Sequence, residues 1–173
     1  MIELTLHTAT VAGAAHNTSY PHLARIRTAE DLAAAAGFDH VAATYRSGHR
    51  SSSNFVCSDC VVMDVDNDHT EQVADWINPE HLSDLLPGVA HMTATSRNHL
   101  KLKGDHGPRP RFHVYSPITT TRDPHVYAGL KLSRVKQLAG FRARESWGCR
   151  GRPDRGGRVR ADSRTAPREV GWC

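Results

Sequence analysis

Between Cys60 and Asp68 the chain reads CVVMDVDND, and no other stretch restricts its fold as tightly. The run is short, rich in β-branched residues and closed by polar ones, which predicts a strand. Side chains two positions apart on a strand share a face. Val62, Asp64 and Asp66 therefore stand together, while Val61, Met63 and Val65 turn the other way, toward a core. Two carboxylates about 6–7 Å apart along a strand cannot both stay ionised in a partly desolvated place without a cation nearby. Mg²⁺ suits that need, because it takes oxygen ligands and is commonly held by one or two carboxylates plus phosphate oxygens. The plain alternative is a strand end whose acids are solvated. A calcium loop of EF-hand type does not fit, since His69 and Asp75 stand where it requires Gly and Glu.

Around this strand, 173 residues suffice for one ordinary domain. IELTLHTATV alternates loosely as a strand. TAEDLAAAAGF reads as a helix capped by Thr28 and ended by Gly37. HVAATYR predicts a strand, TEQVADWI a helical turn or two, and NPEHLSDLL a helix with Asn78 as cap and Pro79 in its first turn. VAHMTATS and RFHVYSPIT are further strands, and DPHVYAGLKLSRVKQLAG is a helix begun by Asp123 and Pro124. Strands interspersed with helices imply an α/β (α+β) domain, a mixed sheet with helices packed on it.

The segment TATSRNHLKLKGDHGPRPRFHVYSPI brings polar chemistry to a second strand. Phe112 and Val114 face one side, and Arg111, His113 and Tyr115 the other. Ser96, Arg97, Asn98 and His99 close the preceding strand, beside Lys101, Lys103, Arg109 and Arg111. Arg offers a planar fork to phosphate oxygens, and His can donate to them. A basic wall adjoining an acidic metal strand is the combination expected of nucleotidyl or phosphoryl transfer. The bland counterpart is a solvated basic loop with structural histidines. A haloacid-dehalogenase-like phosphohydrolase is a second enzymatic reading, with Asp64 as nucleophile, Asp66 as general acid and TATS as phosphate contact. Asp68 stands where that family has Thr or Val.

The net charge of +4 conceals two compositions. From Phe141 to Cys173 there are nine arginines against four acids, whereas all twelve histidines lie between His7 and His125. This Arg/Gly-rich ending has no apolar period and is expected to be disordered. As a genuine basic tail it would bind nucleic acid through phosphates, giving a non-catalytic binding remnant as a third reading. No apolar run reaches the roughly 20 residues of a membrane span, and the start has no secretion-signal pattern. A cytoplasmic setting is the expectation, with no membrane partner. Cys57 and Cys60 lack a second pair for zinc, so they read as small strand residues.

NFVCSDCVVMDVDNDH, SRNHLK and RPRFHVYSPI, in this order and at these separations, resemble the catalytic core of the archaeo-eukaryotic primase superfamily. The likeness is to primase-polymerase domains of mobile-element and phage replication proteins, and it covers roughly residues 20–130. It implies an RRM-like sheet packed by helices, and a DNA primase/polymerase-like nucleotidyltransferase using two divalent metals, Mg²⁺ or Mn²⁺. The implied metal ligands are Asp64 and Asp66. His113 is the implied phosphate contact and joins them as catalytic, with Ser96, Arg97, His99 and Arg111 also at the nucleotide. Implied partners are nucleoside triphosphates, a DNA or RNA template and a replicative helicase.

One family element is missing. A third acidic residue should end an apolar strand after the helix that begins near Asp123, yet the later acids are Glu145, Asp154, Asp162 and Glu169, in Arg-rich surroundings. The core is thus expected to be incomplete, spanning residues 1–134. Residues 135–173 are expected to form a tail that is disordered or out of frame, on the hypothesis that the reading frame changes near residues 131–142. Loss of the third carboxylate would impair polymerisation.

Overall fold

The computed structural model describes the backbone of residues 3–148 and the side chains of residues 3–137. Among the described residues, seven strands and three α-helices follow one another as β1 (Leu4–Thr8), β2 (His22–Ile26), α1 (Ala29–Ala36), β3 (His40–Val41), β4 (Ala43–Tyr45), β5 (Phe55–Val65), α2 (Leu82–Leu85), β6 (Met92–Thr95), β7 (Phe112–Thr121) and α3 (Pro124–Gly148). They build a three-stranded sheet in the order β2-β1-β3 and a four-stranded sheet in the order β4-β5-β7-β6. Every pairing between these strands is antiparallel. The α/β character expected from the sequence is present, but the single mixed sheet is corrected to two antiparallel ones.

The strand β5 decides how the layers stack. Val61, Met63 and Val65 form one cluster with Phe112 and Val114 of β7 and with Ile77, Leu82, Leu85 and Leu86. On the other side, Cys60 and Tyr115 pack with Leu4, Leu6, Ile26, Leu32, Ala35 and Ala42. Both faces of the larger sheet are therefore covered, one by the 77–86 segment and the other by the smaller sheet with α1. Each fully buried Leu or Val here contributes roughly 1.5–3 kcal/mol relative to exposure. Asp59, at a register shift in β5, staples the two sheets together. Its carboxylate accepts from the Thr5 backbone N–H (3.0 Å) and the Thr5 hydroxyl (2.8 Å).

Local chemistry explains most of the ends. Thr28 caps α1 in a reciprocal box: its hydroxyl accepts from the Asp31 N–H, and the Asp31 carboxylate accepts from the Thr28 N–H. Asp123 likewise accepts from the backbone of His125 at the start of α3. Two expectations change. HVAATYR is broken at Ala42, so that β3 joins the small sheet and β4 the large one, and Ser58 donates its hydroxyl to the freed Ala42 carbonyl (2.7 Å). TEQVADWI forms only the single 3-10 turn Val73–Asp75.

The helix α3 runs without interruption past residue 134 to Gly148. The sequence-predicted loss of order after Gly140 thus meets a helical backbone over residues 141–148. The rest of the Arg/Gly-rich tail lies outside the described residues. Among the described residues no helix is long and apolar enough to cross a membrane.

Candidate functional site

Antiparallel pairing places Asp64 of β5 directly opposite His113 of β7, with Ala94 of β6 beyond it. Directly opposed residues share a face and their side chains meet. The His113 Nδ1–H donates to Asp64 Oδ1 at 2.6 Å. That bond, together with the Lys131 ammonium, holds the Asp64 carboxyl below the usual carboxylate range against the opposing effect of partial desolvation by its neighbours. Asp64 is thus an ionised acid, and its side chain remains 65% exposed. It fixes the tautomer of His113 and leaves Nε2 as the second functional nitrogen.

The pair opens into a cleft of about 750 Å³. Ser96, Arg97, His99 and Lys101, from the turn after β6, line it, as do Arg50 and Lys131. Burial lowers the Lys131 pKa, partly countered by Asp64. Among the described lining residues, Arg50, Arg97, Lys101 and Lys131 stand against Asp39 and Asp64, so the lining carries a cationic excess. Such a wall suits a polyanion.

Beneath His113 stands a second histidine. His40 donates from Nδ1 to the Phe38 carbonyl (2.9 Å), which makes its Nε2 the acceptor for the Tyr115 hydroxyl (2.7 Å). The rings of His40 and His113 meet edge to face with centroids 5.9 Å apart. Burial holds His40 below its ordinary pKa and raises that of Tyr115, so both are neutral at physiological pH. His40 is a residue that sequence reasoning missed. Its signal was faint, one histidine among twelve.

The rest of the acidic motif goes elsewhere. The strand ends at Val65, so Asp66 lies just beyond it, and the expected strand pair of Asp64 and Asp66 is corrected. Asp66 accepts from Lys103 Nζ at 2.6 Å and is absent from the cleft lining. Arg111 is fully buried. Its guanidinium donates to the Asn98 and Lys101 carbonyls (3.2 and 2.8 Å) and to Asp68 (3.0 Å), and it does not line the cleft. Its placement is that of a strut under the 96–101 turn rather than a wall residue. Arg109, equally buried, makes a two-pronged contact with Glu71 (2.8 and 2.8 Å) and lies over the Trp76 ring.

Asn67 joins these pieces. It has a left-handed φ of +55° and is almost fully buried. Its side chain bonds both the N–H and the carbonyl of Ile77 and also the Pro110 carbonyl. Asn tolerates that backbone region, and its short amide can replace missing backbone partners.

Of the sequence-predicted site residues, then, the structure gathers Asp64, Ser96, Arg97, His99 and His113 around one cleft, and sets Asp66 and Arg111 outside it. Among the described residues no group of three or more His, Cys, Asp or Glu side chains is placed to hold a metal ion. Tested on its donors, the cleft offers a divalent ion one open carboxylate, that of Asp64. It does not fit the two-ion arrangement, because Asp66 is engaged by Lys103. The side chain of Glu145, and Asp154, Asp162 and Glu169 entirely, lie outside the described residues. Cys57 and Cys60 are free thiols, Cys60 buried with its pKa pushed up by that burial. No family model, curated protein or solved structure matches the chain.

Proposed function

We propose that this chain is a nucleotidyltransferase core of primase-polymerase type, whose cleft takes a nucleoside triphosphate for addition on a nucleic-acid template. The observation that carries the reading is the Asp64–His113 pair, set across adjacent strands on the wall of a cleft that also holds Ser96, Arg97, His99 and Lys101. The RRM-like form of the sheet and the replication setting belong to the same proposal and rest on the motif resemblance alone.

In this reading Arg97 and Lys101 neutralise the phosphates, and Ser96 and His99 add hydrogen-bonding groups at the same end. His113, held by Asp64 through Nδ1, donates from Nε2 to a phosphate oxygen in the form that carries protons on both ring nitrogens. Mg²⁺ or Mn²⁺ bound with the nucleotide would supply charge neutralisation at the transferred phosphate, with Asp64 as its protein anchor. Because the other cleft carboxylate, Asp39, is taken up by Gly13, Ala14 and Arg97, only Asp64 is left for a metal ion, and the described core is expected to polymerise poorly and to bind nucleotide well.

The test is incorporation of a labelled nucleotide by the full chain, with template present or omitted, alongside calorimetric titration with ATP and Mg²⁺. Template-dependent incorporation is the expected result. Absence of both incorporation and ATP binding overturns the proposal. Hydrolysis of a generic phosphoester with no template effect would instead favour the haloacid-type reading. That reading needs Asp66 as an acid in the cleft, where the Lys103 ion pair gives it no support.

A further inference from the structure

Two loops meet at the mouth of the cleft, and one carboxylate holds both. Asp39 accepts the backbone N–H groups of Gly13 (2.7 Å, Oδ1) and Ala14 (2.8 Å, Oδ2), in the loop between β1 and β2. Its own backbone is tied to the same segment, the Ala9 N–H donating to the Asp39 carbonyl (2.8 Å) and the Asp39 N–H to the Val11 carbonyl (2.9 Å). So fixed, Asp39 cannot follow a mobile partner. Arg97, from the turn after β6, reaches across to it and donates from Nη2 to Asp39 Oδ1 at 3.0 Å. The contrast in exposure is large: 11% for the Asp39 side chain and 61% for Arg97.

Gly13 completes the arrangement. Its φ is +83°, a region L side chains rarely adopt, and a Cβ built there would lie 2.2 Å from Arg97 Nη1. The guanidinium therefore lies against the bare Cα of Gly13 while Asp39 takes one edge of its fork. Ala14, Asp39 and Arg97 all line the cleft. An exposed arginine held this way has given up its rotamer freedom before any ligand arrives, and the rest of its fork stays available to an anion.

We infer that Asp39 and Gly13 are positioning residues that preset Arg97 as the anchor for the terminal phosphates of the ligand. This rests on the nucleotide-binding reading of the cleft and goes beyond it, because it assigns to the β1–β2 loop a role in phosphate recognition that the sequence motifs do not include. Asp39 is assigned no contact with the ligand itself. It acts through Arg97, and Gly13 acts by leaving room for Arg97.

The experiment is calorimetric titration of the full chain with ATP and Mg²⁺, and with inorganic tripolyphosphate, using wild type, R97A, D39N, G13A and the double variant R97A/D39N, each checked by thermal melting. The expected result is that D39N and G13A each weaken ATP about threefold to tenfold. D39N should then have no further effect once Arg97 is gone. Tripolyphosphate should follow the same pattern, as a phosphate anchor requires. A folded D39N or G13A that binds ATP as wild type does, or a D39N effect of equal size with and without Arg97, overturns the clasp, since a purely structural pin would act independently of Arg97. Wild type that binds neither probe overturns the nucleotide reading itself, and the two failures are thus distinct.

Discussion

Asp64 and Asp68 stand four residues apart, yet they live in different electrostatic worlds. At Asp64 the acid is open, its partner is a histidine on the neighbouring strand, and both face a cleft. At Asp68 the acid meets Arg111, whose fully buried guanidinium gives Nη1 to two loop carbonyls and Nη2 to Asp68 itself. The first arrangement leaves donor and acceptor capacity for a ligand. The second consumes it in holding the 96–101 turn in place. Charge of either sign is plentiful along both stretches, so what separates site from scaffold is how much of that capacity remains unspent.

The largest expected effect comes from striking the open half. Asp64→Asn should lower nucleotide incorporation about 1000-fold, roughly 4 kcal/mol. Its melting temperature should stay near that of wild type, because the residue is exposed. A comparable loss of stability would mean that Asp64 is scaffold too, and the contrast would vanish.

Striking the closed half should do the reverse. Arg111→Ala leaves the Asn98 and Lys101 carbonyls and Asp68 without their donor, which costs about 2–3 kcal/mol in urea unfolding. A change below about 0.5 kcal/mol would show that the strut carries nothing.

Asp66 sharpens the boundary between the two. Asp66→Asn should reduce incorporation by about tenfold or less, roughly 1.4 kcal/mol, since its carboxylate serves Lys103 rather than the cleft. A loss matching that of Asp64→Asn would place Asp66 in the working site during turnover, with Lys103 displaced.

The smallest effect is in pH. Burial holds His40 below its ordinary 6.5, so the unfolded chain takes up that proton first as the pH falls. Stability from this group is full above about pH 6.5 and declines as the pH drops toward the folded value. His40→Gln should flatten that slope in denaturant titrations between about pH 6.5 and 5. The contribution of Asp64 has a separate window, being lost only as the pH falls through its own lowered value, beneath the ordinary 3.8.

How much of this was legible beforehand varied with the kind of signal. Two-residue alternation around Val61–Val65 and Phe112–Val114 gave the core faces of β5 and β7, because a buried face leaves that pattern in any strand. The cap at Thr28 and the Asp123 cap were readable for the same local reason. The meeting of Asp64 with His113 needed the register between strands 49 positions apart, which only the motif resemblance suggested. The break at Ala42, the hub at Asn67 and the clasp at Asp39 depend on long-range partners. Nothing within a few residues of them announces those partners. Arg109 and Arg111 looked like cleft residues because sequence shows charge and conceals burial.

One continuous peptide, β5, supplies the rear of the main cluster, the staple to the second sheet and the carboxylate at the cleft. Melting this segment should erase architecture and chemistry in a single cooperative event. A softened intermediate that keeps its layers while its cleft carboxylate drifts is therefore not among the states this molecule can comfortably visit.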